Sequence, residues 1–247
     1  MYKPLFILFV MLGITSLNAQ TTGQLATYNS YSADGGVTDA LLNYADGNFS
    51  EKNTGSTVLN DPYIQGSPYT SNSFSPTPLY YKEEPVGKVF YRYNAYNEEV
   101  EIMKTKVEGE TIRSLAKDKE LNIRPYGKKM SFKTFITSKN RTTNGYLTEL
   151  VHGEEYILYK RIQVKFKEAT APQSSFDKAT PAKFTKFTEF YVQKKGDSRI
   201  DEVLPKETKL LKLLDDSKKE AVKQFLKDQD LNLKNEADMI KVFEFLN

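Results

Sequence analysis

The chain has 247 residues, 39% of them apolar and 27% charged, and a formal net charge of +3. That balance permits a packed core and excludes the concentrated basic excess expected of a nucleic-acid binder. With no Cys, no Trp and a single His, it also excludes disulfides, thiol chemistry and sites built from several imidazoles.

Residues 1–19 have the layout of a secretory signal peptide. Lys3 precedes an apolar run from Leu5 to Ile14, and small and polar residues follow up to Ala19. The run is about half the ~20 residues that a membrane-spanning helix needs. Because the chain has no Cys, it has no thiol to carry a lipid. The expected mature chain is soluble, has no transmembrane segment, and is exported to the periplasm or outer-membrane periphery of a Gram-negative envelope.

Residues 20–80 are rich in Ser, Thr, Asn and Gly. They are acidic, with Asp34, Asp39, Asp46, Glu51 and Asp61 against Lys52. Apolar residues there lack any period, so little burial is on offer to offset ordering entropy. The segment is expected to be a largely irregular extension.

Residues 81–247 are expected to form the folded domain, and the period becomes two. Val89, Tyr91 and Tyr93 alternate with Phe90 and Arg92, and the break Asn94 to Asn97 leads to Val100 and Ile102. Similar runs cover 111–115, 120–124, 130–137 and 146–151. The cleanest is Tyr156 to Lys167, where Tyr156, Leu158, Ile162, Val164 and Phe166 oppose Tyr159, Arg161, Gln163, Lys165 and Lys167. One buried and one wet face is the pattern of an antiparallel sheet. His152-Gly153-Glu154 and Lys195-Gly196-Asp197 punctuate two hairpins, and residues 168–183 form a long surface loop.

After Pro205 the period turns helical. Leu210, Leu211, Leu213 and Leu214 supply the first apolar stripe. Ser217 to Glu220 forms a capping box before Ala221, Val222, Phe225 and Leu226. A last helix over 235–246 presents Met239, Ile240, Phe243 and Leu246. The predicted fold is therefore α+β: a curved antiparallel sheet of about seven to nine strands packed with three C-terminal helices (205–247).

No motif announces chemistry, so no catalytic, cofactor or metal residue is assigned. Gly35-Gly36 lacks the strand and helix that a phosphate loop needs. His152 lies at a hairpin tip, where the chain turns through solvent. Asp228, Asp230 and Asn232 copy the opening of a calcium loop, but Leu233 replaces its Gly and Met239 its closing Glu. The candidate binding residues are Tyr91, Tyr93 and Tyr96, which would grip a ligand if exposed together. From Leu158 to Lys195 the chain holds nine Lys and Arg against three acids, enough for a basic patch facing an acidic partner.

The chain resembles a group of uncharacterised exported Bacteroidota proteins. The likeness is carried by Leu17 to Gln20, Gly66-Ser67-Pro68-Tyr69, Tyr93 to Glu98, Leu231 to Lys234 and Asp238 to Lys241. It implies an envelope location and brings no active-site residue with it. Two functions are open at this point. The first is an exported, non-enzymatic binding or accessory protein with an envelope protein partner, including a subunit of an outer-membrane assembly or translocon. The alternative is a hydrolase, carbohydrate-active or similar, using carboxylates brought together by the fold. A concave pocket with two close, perturbed carboxylates would favour the hydrolase.

Overall fold

The computed structural model describes residues 64–172 and 178–247. The expected signal peptide, Gly35-Gly36 and most of the expected extension lie outside these residues.

Among these residues ten strands form one sheet, followed by α1 (Glu207–Leu210), α2 (Asp216–Asp228) and α3 (Glu236–Phe245). The architecture is the expected α+β one, with more strands than expected. The additional strand is β1 (Ser75–Tyr81), which starts within the stretch 20–80. Pro76 and Pro78 conflict with a strand here, because proline lacks the N–H that a central strand donates. Yet β2 (Glu84–Asn94) pairs along one side of β1, and β5 (Leu121–Ile123) along the other. The conflict is resolved locally: β5 pairs only with Leu79, Tyr80 and Tyr81, and on that side the Pro78 carbonyl accepts from the Arg124 N–H at 3.2 Å, a bond that needs no proline donor.

The remaining strands are β3 (Glu99–Met103), β4 (Arg113–Ser114), β6 (Met130–Ile136), β7 (Thr142–His152), β8 (Tyr156–Lys167), β9 (Lys183–Lys194) and β10 (Ile200–Val203). Their order across the sheet is β10-β9-β8-β7-β6-β5-β1-β2-β3-β4. A parallel bridge between Asp201 and Ile136 also joins β10 to β6, which closes β6 to β10 into a ring. Phe135, Leu147, Ile157, Tyr159, Tyr191 and Ile200 cluster as its filling. This closure corrects the expected wet face of β8. Tyr159 and Arg161 are buried, and only Lys165 and Lys167 on that face are exposed. Curling the sheet on itself turned the second face of the strand into an interior.

The opposite face of β8 has two covers. Tyr156 and Leu158, with Phe190, Val192 and Val203, pack under the helices against Leu210, Val222, Met239 and Phe243. Val164 and Phe184 pack instead with Leu79, Val89, Tyr93, Val100 and Ile102, because β1 to β3 fold back over that end.

The helices follow the apolar stripes with two differences. α2 begins at Asp216, ahead of the predicted capping box, and its N-cap residue Asp215 makes no side-chain cap. The Asp215 carboxylate is spent on Lys194 at 2.8 Å instead. Ala221 is exposed, whereas Val222 and Leu226 are buried and Phe225 stacks on Phe245 at 4.2 Å. Asn235 caps α3 by accepting from the backbone N–H of Ala237 at 2.8 Å.

Candidate ligand-binding cleft

A cleft of about 290 Å³ opens between the folded-back strands and β6 to β8. Its base and walls are Tyr91 and Tyr93 from β2, Met130 from β6, Tyr146 and Thr148 from β7, and Lys160 and Ile162 from β8. Ser71, Ser73 and Ser75 add hydroxyls from the segment entering β1, and Tyr126 stands in the β5–β6 turn.

Two of the three candidate tyrosines meet here. Side chains two apart on a strand share a face, so Tyr91 and Tyr93 both point to the interior of the folded-back sheet. They differ in depth. Tyr93 is only 3% exposed, lies edge-on to Tyr146 at 5.9 Å and donates its phenol to Glu98 Oε2 at 3.3 Å. Burial first, then the Glu98 carboxylate, hold its pKa well above the ordinary phenol value. Tyr91 is half-buried, and desolvation together with the nearby Tyr126 phenol pushes it up to about 12. The third, Tyr96, is brought elsewhere: it lies edge-on to Phe166 and Phe184 at 6.4 and 5.5 Å, pinning the β2–β3 turn to the β8–β9 ribbon. The expected three-tyrosine exposed cluster does not form, because the turn after Asn94 carries Tyr96 across the ribbon. Asn94 Oδ1 shapes that turn by accepting from the N–H groups of Tyr96 and Asn97 at 3.2 and 3.1 Å.

Both cations at the cleft are already compensated. Arg92 donates Nε to Glu101 Oε2 at 3.0 Å, reaches the Tyr69 hydroxyl at 3.1 Å and lies 3.8 Å above the Tyr69 ring. Lys160 Nζ meets both carboxylate oxygens of Glu236 on α3 at 2.9 Å. Among the described residues lining the cleft there is no Asp, Glu or His. What the lining offers is aromatic faces, hydroxyls that both donate and accept, and apolar walls.

The fold does bring two carboxylates together, away from this cleft. Glu98 from the β2–β3 turn and Glu189 from β9 meet on Arg161, whose side chain is 8% exposed. Arg161 Nη1 donates to Glu189 Oε2 at 2.8 Å, and Nε donates to Glu98 Oε1 at 2.9 Å. Burial opposes the guanidinium charge, but Glu98 and then Glu189 outweigh it and raise its pKa above the ordinary value. Gly145 allows the approach, since a Cβ there would meet Glu98 Oε2 at 2.5 Å. An arginine between two carboxylates compensates both charges, whereas a hydrolytic acid needs surroundings that favour its neutral form.

The other sequence candidates are spread out. His152 is 62% exposed at the β7–β8 tip, with Nδ1 3.1 Å from Glu149. Asp228 accepts from Gln224 at 2.7 Å, and Asn232 Oδ1 accepts from the Lys234 N–H at 3.0 Å, so these oxygens serve the helix connection. Part of the basic stretch is spent: Arg161, Lys160, Lys194 and Lys195 pair with Glu98 and Glu189, Glu236, Asp215 and Glu154. Sequence reasoning missed Ser71, Ser73, Ser75 and Tyr126. The serines fall in the segment read as an extension; Pro125-Tyr126-Gly127 between two strand patterns was the available signal for Tyr126.

Compared with family models, with curated proteins and with solved structures, the chain shows no significant match. Among the described residues, no helix is long and apolar enough to cross a membrane.

Proposed function

We propose that this is an exported, non-enzymatic binding protein of the envelope, and that its ligand seat is the cleft between the folded-back strands and β6 to β8. The carrying observation is the chemistry of the lining: four tyrosines and a rim of hydroxyls, with each cation already matched to a carboxylate. Such a surface is built to hold a molecule by shape and hydrogen bonding. It lacks, among its described residues, the acid and base that hydrolysis needs. At about 290 Å³ the cleft stands at the lower end of small-molecule sites, roughly 300–1,000 Å³. Export is supported by the leading block of residues, with its charged start and short apolar run.

The cleft is tested by NMR on the full mature chain, using a library of small neutral and aromatic fragments. Fragments should shift the methyl resonances of Met130, Thr148 and Ile162 before any others. A library that leaves these three unmoved would overturn the reading. Chromogenic glycosides and esters should show no turnover above buffer; sustained turnover lost on Glu189→Gln would restore the hydrolase. Intact mass of protein made in its native host should lack residues 1–19.

A further inference from the structure

Resting on the binding reading above, we infer that the cleft takes a neutral saccharide and that Tyr126 is the platform on which a sugar ring stacks. Tyr126 is 88% exposed, so its ring lies almost wholly in water. Its backbone is also unusual, with φ 53° and ψ 31°, followed by Gly127 at φ 77°. Lys128 donates its N–H to the carbonyl of Pro125 at 3.0 Å, which closes the pair into a type I′ turn. That turn wants Asn, Asp or Gly at its first central position. Only Gly visits the left-handed region freely; in other residues the Cβ crowds the following carbonyl oxygen. The chain thus carries a bulky aromatic residue where a small one would fit better, and leaves it unburied. Both costs fall on one residue, and that residue stands at the lip of the cleft. Such an outlier points to function.

The rest of the lining selects the class of ligand. Arg92 and Lys160 are matched by Glu101 and Glu236, so neither is a lone charge waiting for an anion. A cationic ligand finds no carboxylate among the described lining residues. The Ser71 hydroxyl donates to the Ser73 carbonyl at 3.4 Å and accepts from the Ser73 N–H at 3.3 Å, and the Thr70 hydroxyl donates to the Tyr93 carbonyl at 3.5 Å. A hydroxyl oxygen has two acceptor sites, so each keeps at least one for a ligand. A ligand that donates and accepts along one edge while offering polarised C–H groups on a face matches both features. The negative face of an aromatic ring attracts those C–H groups. A pyranose has that combination, whereas a purely aromatic ligand lacks the hydroxyl edge.

The experiment is calorimetry and NMR on the full mature chain with maltotriose, cellotriose and N,N′-diacetylchitobiose as neutral probes. Digalacturonate and adenosine serve as charged and aromatic comparators. At least one neutral saccharide should bind, moving Thr148 and the Tyr126 ring signals. Tyr126→Asn, which suits the left-handed turn, should weaken that saccharide about tenfold or more while leaving the melting temperature unchanged or higher. Tyr126→Phe, which keeps the ring, should retain binding. No binding by all three neutral probes, or equal binding by Tyr126→Asn, overturns the inference. If adenosine or library fragments occupy the cleft while saccharides do not, the binding reading stands and the saccharide class falls. If nothing enters the cleft, both fall.

Discussion

The two covers of β8 are tied down in different ways. The helices bury Tyr156, Leu158, Phe190 and Val192, and side chains link them to the sheet around that core: Asn247 Oδ1 accepts from the Glu155 and Tyr156 N–H groups at 2.9 and 2.8 Å, and Lys160, Lys194 and Lys218 meet Glu236, Asp215 and Glu155. The folded-back strands also bury apolar residues, but their links are a buried arginine and backbone bonds. Glu98 reaches Arg161, the Val164 N–H donates to the Ala95 carbonyl at 3.0 Å, and the Ala95 N–H donates to the Pro68 carbonyl at 2.9 Å. Non-directional burial fixes how much surface is covered; polar links fix where the covering element stops. Lys160 joins the two regions, lining the cleft while its ammonium holds Glu236 of α3.

The largest effect that could break this contrast is removal of the helices. Cutting after Leu204 leaves Tyr156, Leu158, Phe190 and Val192 in water, and the product should aggregate; a soluble fragment with an unchanged melting temperature would show the helical cover to be dispensable. Within that cover, Phe243→Ala should cost about 3–5 kcal/mol in urea unfolding, since the ring is fully buried.

Arg161→Met comes next. Removing the cation leaves Glu98 and Glu189 facing each other without compensation, for a loss of about 3–5 kcal/mol. Adding Glu98→Gln and Glu189→Gln to that variant should recover much of the loss. A single-variant cost near zero would mean that the strand cover is held by burial and backbone bonds, with nothing added by the buried arginine.

A smaller effect is expected at high pH, and it falls on the strand cover. Tyr91, pushed up to about 12, and Tyr93, held well above the ordinary phenol value, are neutral in the folded chain at pH values where an unfolded phenol ionises. Because their folded pKa values are raised, the stability tied to them is complete below the ordinary value near 10. It is lost as pH rises from there towards 12. Urea midpoints taken with tyrosinate absorbance should fall across that window, and a flat midpoint would contradict the assigned burial. Smallest of all, Lys194→Ala should leave the urea midpoint unchanged, because its pair with Asp215 is about half-exposed on both sides.

Much of this was legible in local pattern. Alternation marked β8, Gly-centred triplets marked the hairpins after β7 and β9, and apolar spacing marked α2 and α3, with Asn235 at its cap. What local pattern could not carry was the partner of each face. Arg161 reads as a solvated residue until Glu98, far off in sequence, is brought onto it. Ser75 and β1 read with the extension because the apolar residues of 20–80 lack a period, and only the pairing with β2 and β5 makes them a strand. The Tyr91 and Tyr93 pair was visible at spacing two, but the position of Tyr126 opposite them depends on how tightly the sheet curls.

The ring of β6 to β10 has one join unlike the others. β8 and β9 are paired along twelve residues, whereas β10 meets β6 through Asp201 and Ile136 alone, with Glu202 accepting from the Ser138 N–H beside them. A closed barrel loosens first where the fewest bonds must break together. Transient parting at that join admits water to Phe135 and Ile200 while the β7–β8–β9 ladders and the helices stay in place. Amide protons at the join therefore exchange with solvent through a local fluctuation, and those at the centre of β8 only when the whole molecule unfolds.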